Sequence, residues 1–321
     1  MNNMLPTFDR FAGRRPSFIV NTLLLAALMV LYLLSGAVLL LFLGGQGSDV
    51  SELFTPESVR RLSGVILLSQ GGAQLLLLAF PVLMLAALHT RSRNTFSRES
   101  LAFLGIGEIP DIRVLLLATA GIFLLQPLIF TITSFEQLYL WPALGRAGEE
   151  VLRQQQQMDM FIKSIATVNS LPGFAAVLLV FALVPALSEE LLFRGYIQKN
   201  YTKSMSPRNA VALTGLVFAF FHMSPANLLS LALLGWFIGY IYARSGNLAV
   251  SAFAHFSNNF GALLVLFFTE SSGAVTVEHP ERAIYSIWWW LLVAVSIMLF
   301  MLAVRGFSMM CQAKEHEFPE R

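Results

Sequence analysis

Residues 177–194 read VLLVFALVPALSEELLFR: an apolar run from Val177 to Leu187, then Ser188-Glu189-Glu190, and Arg194 after three more apolar residues. An ionisable side chain in a lipid-spanning helix costs about 2.5–3.5 kcal/mol on insertion scales, so it is normally retained for function. Two carboxylates and an arginine within six positions exceed what packing requires. Glu190 and Arg194, four apart, share a helical face and can pair. Glu189 points about 100° away and is left without that partner. This stretch sets the fold class, because residues around it repeat the same apolar pattern across the whole chain.

The composition agrees: 56% hydrophobic residues, 12% charged and a mean hydropathy of +0.67 over 321 residues. A soluble domain carries about 25% charged residues. A net charge of +2 gives no reason to expect nucleic acid, and one cysteine, Cys311, allows neither an intrachain disulfide nor a cysteine metal cluster. Eight apolar segments stand at about 18–44, 63–88, 114–134, 173–198, 209–223, 227–243, 247–269 and 284–305. Most approach the ~20 residues a helix needs to cross a bilayer. The expected fold is an all-α membrane protein of about eight transmembrane helices, with a polar cavity between the spans that carry the charges. The first segment reads as a retained signal anchor.

Charge bias sets the expected orientation, a cell-membrane protein with both termini in the cytoplasm. Cytoplasmic loops would hold Arg10, Arg14, Arg15, Arg91, Arg93, Arg98, Arg113, Lys199, Lys203, Arg208, Arg244, Arg305, Lys314 and Arg321. The other face would hold Arg60, Arg61, Arg146, Arg153, Lys163 and Arg282: 14 against 6, with Arg194 completing the 21. Residues 45–62 and 135–172 read as outer segments, the second as a loop or interfacial helix. Trp288-Trp289-Trp290 reads as a headgroup-level anchor. The chain divides into 1–172 (helices and loops without motifs), 173–269 (the polar core) and 270–321 (last helix and tail).

Two further spans carry one histidine each. Phe218 precedes His222 by one turn, and Asn259 follows His255 by one turn. An imidazole and a carboxamide one turn apart can donate to one developing negative oxygen; the same pair can also serve as a plain interhelical clamp. With ~1.5 Å of rise per residue, Glu190, His222, His255 and Asn259 fall in one slab, near the midplane or displaced toward the cytoplasm. A site opening toward the cytoplasm is therefore expected.

Glu189-Glu190-x-x-x-Arg194, Phe218-x-x-x-His222 and His255-x-x-x-Asn259, in this order on three spans, resemble the motifs of the CAAX protease and bacteriocin-processing family (CPBP, or Abi), which includes type II CAAX prenyl endopeptidases. Glu149-Glu150-x-x-Arg153 is a decoy, with its arginine one position early in an outer segment. The resemblance implies an intramembrane endopeptidase acting on a membrane-associated peptide or protein, either a prenylated CAAX-like tail or a bacteriocin-related peptide. It assigns water activation to Glu189 with His222, orientation of the site to Glu190 with Arg194, and the oxyanion to His255 with Asn259. Zn2+ is open: Glu189, His222 and His255 are suitable ligand types, but there is no His-Glu-x-x-His, and a metal-independent route is preferred. Two other readings stand beside the protease: a non-catalytic membrane scaffold or immunity protein, and a proton-coupled transporter.

Overall fold

The computed structural model describes residues 17–44, 55–166, 170–271 and 280–317. Arg10, Arg14, Arg15 and Arg321, and most of the first outer loop, lie outside the described residues. Among the described residues there is no strand, and seven helices are long and apolar enough to cross a membrane. We number the helices α1 (Phe18–Gly44), α2 (Pro56–Thr90), α3 (Arg98–Phe103), α4 (Ile112–Ala143), α5 (Arg146–Ala166), α6 (Leu171–Tyr201), α7 (Pro207–Phe221), α8 (Leu228–Ser245), α9 (Leu248–Ser271) and α10 (Ile287–Glu317). The expected fifth span, α7, has only 15 residues and falls short of a full crossing.

Each boundary has a local cause. Thr55, Ser97, Asp111, Ser170 and Ser206 cap α2, α3, α4, α6 and α7 by accepting from backbone N–H groups of the first turn. Helix α8 ends at left-handed Gly246 (φ 62°), and α7 ends at His222, followed by left-handed Met223 (φ 49°) and then Ser224-Pro225. Inside the long helices three π-turns, Gln74–Ala79, Glu136–Leu140 and Leu179–Leu183, each stop two residues before a proline, namely Pro81, Pro142 and Pro185. A proline ring clashes with the carbonyl four residues back. The wider π-turn carries that carbonyl aside, so the helix bends without breaking. A fourth π-turn, Leu191–Gln198, follows the paired glutamates directly.

Hydrogen bonds between helix ends define two faces. On one, Asn21 donates to Ile197 O (3.2 Å), Lys199 to Phe103 O (3.1 Å), Leu248 N to Gly105 O (2.9 Å) and Asn247 to Glu108 O (2.8 Å). This is the basic face, with Arg91, Arg93, Arg98, Lys203, Arg208 and Arg244 in or beside the connections. On the opposite face Val59, Ile165, Val177, Ala182 and Leu263 cluster, and Tyr139 meets Tyr285 (3.0 Å). The helices therefore alternate in direction between the faces. The long outer segment resolves into the end of α4 and the helix α5, which packs on α2 and against the turn at 225–227. In the tryptophan triplet only part of the anchor reading survives. Trp288 is exposed, but Trp289 donates to Thr131 (2.9 Å) and packs on Phe130, so it serves contact between α10 and α4.

Candidate active site

Helix α6 brings the two glutamates to the centre of the bundle. Glu190 and Arg194 are both fully buried and paired, Nη1 to Oε1 at 2.6 Å. Arg194 also donates to the Gly235 carbonyl of α8 (2.9 Å) and lies 4.7 Å over the Phe218 ring of α7. One turn on, Gln198 donates to Gly239 O (2.9 Å), so two side chains of α6 read two carbonyls of α8 four residues apart. The approach of α7 to α8 beside it needs small residues. A Cβ on Gly235 would lie 2.9 Å from Gly215 O, and one on Gly215 would lie 2.2 Å from the Trp236 ring.

His255 of α9 completes this group, with Nδ1 2.9 Å from the same Glu190 Oε1. A carboxylate oxygen only accepts, so Nδ1 carries hydrogen. Glu190 thus sits between a guanidinium and an imidazole. Phe218 explains the aromatic of the second motif: besides carrying Arg194, its ring contacts both His222 (4.6 Å) and His255 (5.7 Å).

Glu189 belongs to a second group. Its Oε1 accepts from Gln74 (3.1 Å), while its Oε2 takes no hydrogen bond among the described residues. Oε2 lies 3.8 Å from His222 Nε2, too far for a direct hydrogen bond. His222 Nδ1 faces Phe218 O at 2.8 Å. A carbonyl only accepts, so Nδ1 donates, and a neutral ring presents the Nε2 lone pair toward Glu189.

Asn259 stands apart from both groups. Its Oδ1 accepts from Asn258 (3.1 Å), whose own Oδ1 accepts from Gln126 of α4 (3.0 Å). The chain of amides orients the Asn259 NH2 away from Asn258.

Four residues outside the sequence motifs thus hold motif residues: Gln74, with Tyr32 behind it, at Glu189, and Asn258, with Gln126 behind it, at Asn259. Gln74 bonds both Glu189 and Tyr32 Oη (3.2 Å), and Gln70 donates to the same hydroxyl (2.8 Å). The 1–172 segment, expected to carry no motif, supplies three of the four. Lone glutamines in apolar helices were the available signal, because a buried amide requires partners.

Two expectations bear on this geometry. Zinc, left open with the metal-independent route preferred, is one. His255 turns Nδ1 to Glu190, and among the described residues no group of three or more His, Cys, Asp or Glu side chains is arranged to hold a metal ion. The donors as placed do not fit a zinc site, and no step below is routed through a metal. The other is the opening toward the basic face. Every residue from Ser188 to Gln198 is buried, as are Phe218, Ile238 and Ile241, so that side of the site is sealed by packing. The decoy behaves as read: Arg153 pairs with Glu150 on the exposed surface of α5 (2.7 Å). The Arg153 hydrogen bond, then that from Gln154, holds the Glu150 carboxyl below its ordinary value.

Residues 171–261 match the profile of a family described as type II CAAX prenyl endopeptidase Rce1-like, and all seven motif residues lie within that segment. The match covers less than half of the chain and is a likeness of this segment to that family; the apolar helices make the chain a multi-pass membrane protein by length and composition. No curated protein and no solved structure matched the chain.

Proposed function

We propose that this protein, like the CAAX protease family its segment 171–261 resembles, hydrolyses a peptide bond of a membrane-associated peptide or protein, with water activated by Glu189 and His222. The observation that carries this reading is the unpartnered Glu189 Oε2 facing the lone-pair nitrogen of His222 across 3.8 Å. One water bridging the two acceptors would donate a hydrogen to each and keep its own lone pairs for a carbonyl carbon.

The steps balance on these residues. The water oxygen bonds to the carbonyl carbon as its proton passes to Glu189 Oε2. The carbonyl oxygen takes the negative charge and accepts from the Asn259 amide and from His255 Nε2. His255 Nδ1 already donates to Glu190, so the ring turns Nε2 to the other side, and Nε2 serves as a donor there when it carries hydrogen. Glu189 then delivers the proton to the amide nitrogen, the C–N bond breaks, and a carboxylic acid and an amine leave, the acid's proton passing to the amine in water to give carboxylate and ammonium. Arg194 balances Glu190 and holds α6, α7 and α8 in register. Candidate substrates are a prenylated CAAX-like tail and a bacteriocin-related peptide; the lipid bilayer is the second partner, and nucleic acid has no place at this site.

The test is cleavage of a quenched fluorogenic peptide library by detergent-solubilised protein, with and without a strong chelator. Glu189→Gln keeps the Gln74 contact and removes the base, so cleavage should vanish while the protein stays folded. Chelator should leave the wild-type rate unchanged. Cleavage retained by Glu189→Gln would overturn the assignment.

A further inference from the structure

Helix α1 joins the bundle along one stripe. Asn21, Leu25 and Leu28 are buried and Tyr32 half-buried, at the three- and four-residue steps of a single helical face, while Leu23, Val30, Leu31 and Leu34 are exposed. At one end of the stripe Asn21 donates to Ile197 O (3.2 Å) and Thr22 meets the Tyr201 hydroxyl (3.0 Å), which fixes α1 against the end of α6. Tyr32 stands about 16 Å further along, at the middle of a 27-residue helix. Tyrosines of spanning helices gather at the headgroup level, where the hydroxyl is wet. A hydroxyl at mid-span needs partners inside the protein.

Among the described residues those partners are two glutamines of α2. Gln70 Nε2 donates to Tyr32 Oη at 2.8 Å and Gln74 Nε2 at 3.2 Å. The second contact leads to Glu189. A carboxylate only accepts, so the Gln74 nitrogen must face Glu189 Oε1 (3.1 Å), and its two hydrogens then go to Glu189 and to Tyr32. Two acceptors fix the plane of that amide; one would leave it free to turn. The Tyr32 ring meanwhile stacks on Phe221, with centroids 5.2 Å apart and planes 28° from parallel. Phe221 is buried, packs edge-on against Phe193 of α6, and is the last residue of α7 before His222. One side chain of α1 thus touches the support of Glu189 with its hydroxyl and the support of His222 with its ring.

From these contacts we propose that Tyr32 is a positioning residue for the water-activating pair, acting on Glu189 through Gln74 and on His222 through Phe221. Glu189 and His222 belong to different helices, and their 3.8 Å separation has to hold while a water between them loses a proton. The contact of His222 Nδ1 with Phe218 O sets the ring within its own helix but not its distance from α6. Tyr32 ties both to a third helix, which lies outside the matched segment 171–261. Phenylalanine would serve the stack equally well; the hydroxyl is required by the glutamines alone. This rests on the reading of Glu189 and His222 as the water-activating pair.

Tyr32→Phe keeps the stack on Phe221 and removes the acceptor of both amides. In the full chain, solubilised in detergent, it should lower kcat for peptide cleavage about 3- to 10-fold at unchanged KM. Combined with Gln74→Leu it should be no slower than Gln74→Leu alone, because the hydroxyl works through that amide. A wild-type kcat in Tyr32→Phe, a loss confined to KM, or losses that multiply in the double variant would overturn the proposal. A second readout needs no activity. The chain has seven tyrosines; with fluorotyrosine in their place, the fluorine resonance absent from Tyr32→Phe belongs to Tyr32, and the others should keep their shifts, showing the fold intact. Gln74→Leu should move the Tyr32 resonance, and an unmoved one would overturn the link. Failure of the wild type to cleave any peptide would sink the protease reading alone, with the fluorine shift still reporting the tie from Tyr32 to Gln74.

Discussion

Arg194→Met removes the guanidinium from a site where it has no contact with solvent. The substitution keeps an unbranched apolar stem but leaves Glu190 with His255 as its remaining partner. It also frees the Gly235 carbonyl and the Phe218 face. Removing one member of a buried ion pair costs about 3–5 kcal/mol, mostly because the other charge stays buried. Adding Glu190→Gln removes that charge, and replacing a buried pair with neutral groups is often nearly neutral. The double variant should therefore be more stable than Arg194→Met alone, with a coupling energy of ~2 kcal/mol or more. Equilibrium unfolding in mixed micelles, with SDS as denaturant, reads all four species of the cycle. A loss below about 1 kcal/mol for Arg194→Met, or a double variant equal to the sum of the singles, would show that the pair does not hold the three helices together.

Gln74→Leu removes the one protein hydrogen bond on Glu189 Oε1; a bond to a charged group is worth about 1.5–3 kcal/mol. It should lower kcat roughly 10–100-fold with little change in KM, and a wild-type kcat would exclude Gln74 as a positioning residue. Asn259→Ala should cost about 10²–10³ in kcat if its amide meets the oxyanion, and Gln126→Leu a smaller part of that loss through Asn258; unchanged kcat in Asn259→Ala would remove it from the site. Gly215→Ala places a methyl group against Trp236 and should destabilise by about 1–3 kcal/mol, measured by the same unfolding series. Neutrality there would mean that α7 and α8 are less closely packed than described.

Much of the architecture was legible in the order of residues. Apolar runs of span length at 18–44, 173–198 and 247–269 agree closely with α1, α6 and α9, because lipid exposure leaves a helix few alternatives for its backbone polar groups. The Glu190–Arg194 pair followed from a four-residue spacing alone, since that contact is local to one helix. Contacts of long sequence separation were not legible. Nothing in the positions of Gln74 and Glu189, 115 residues apart, declares that their helices meet, and the expected oxyanion partner His255 proved to bond Glu190. Local patterns encode which segments enter the membrane and which residues cannot rest there unpaired. Which unpaired residue meets which depends on how helices of unequal length pack, and that is a property of the assembled bundle.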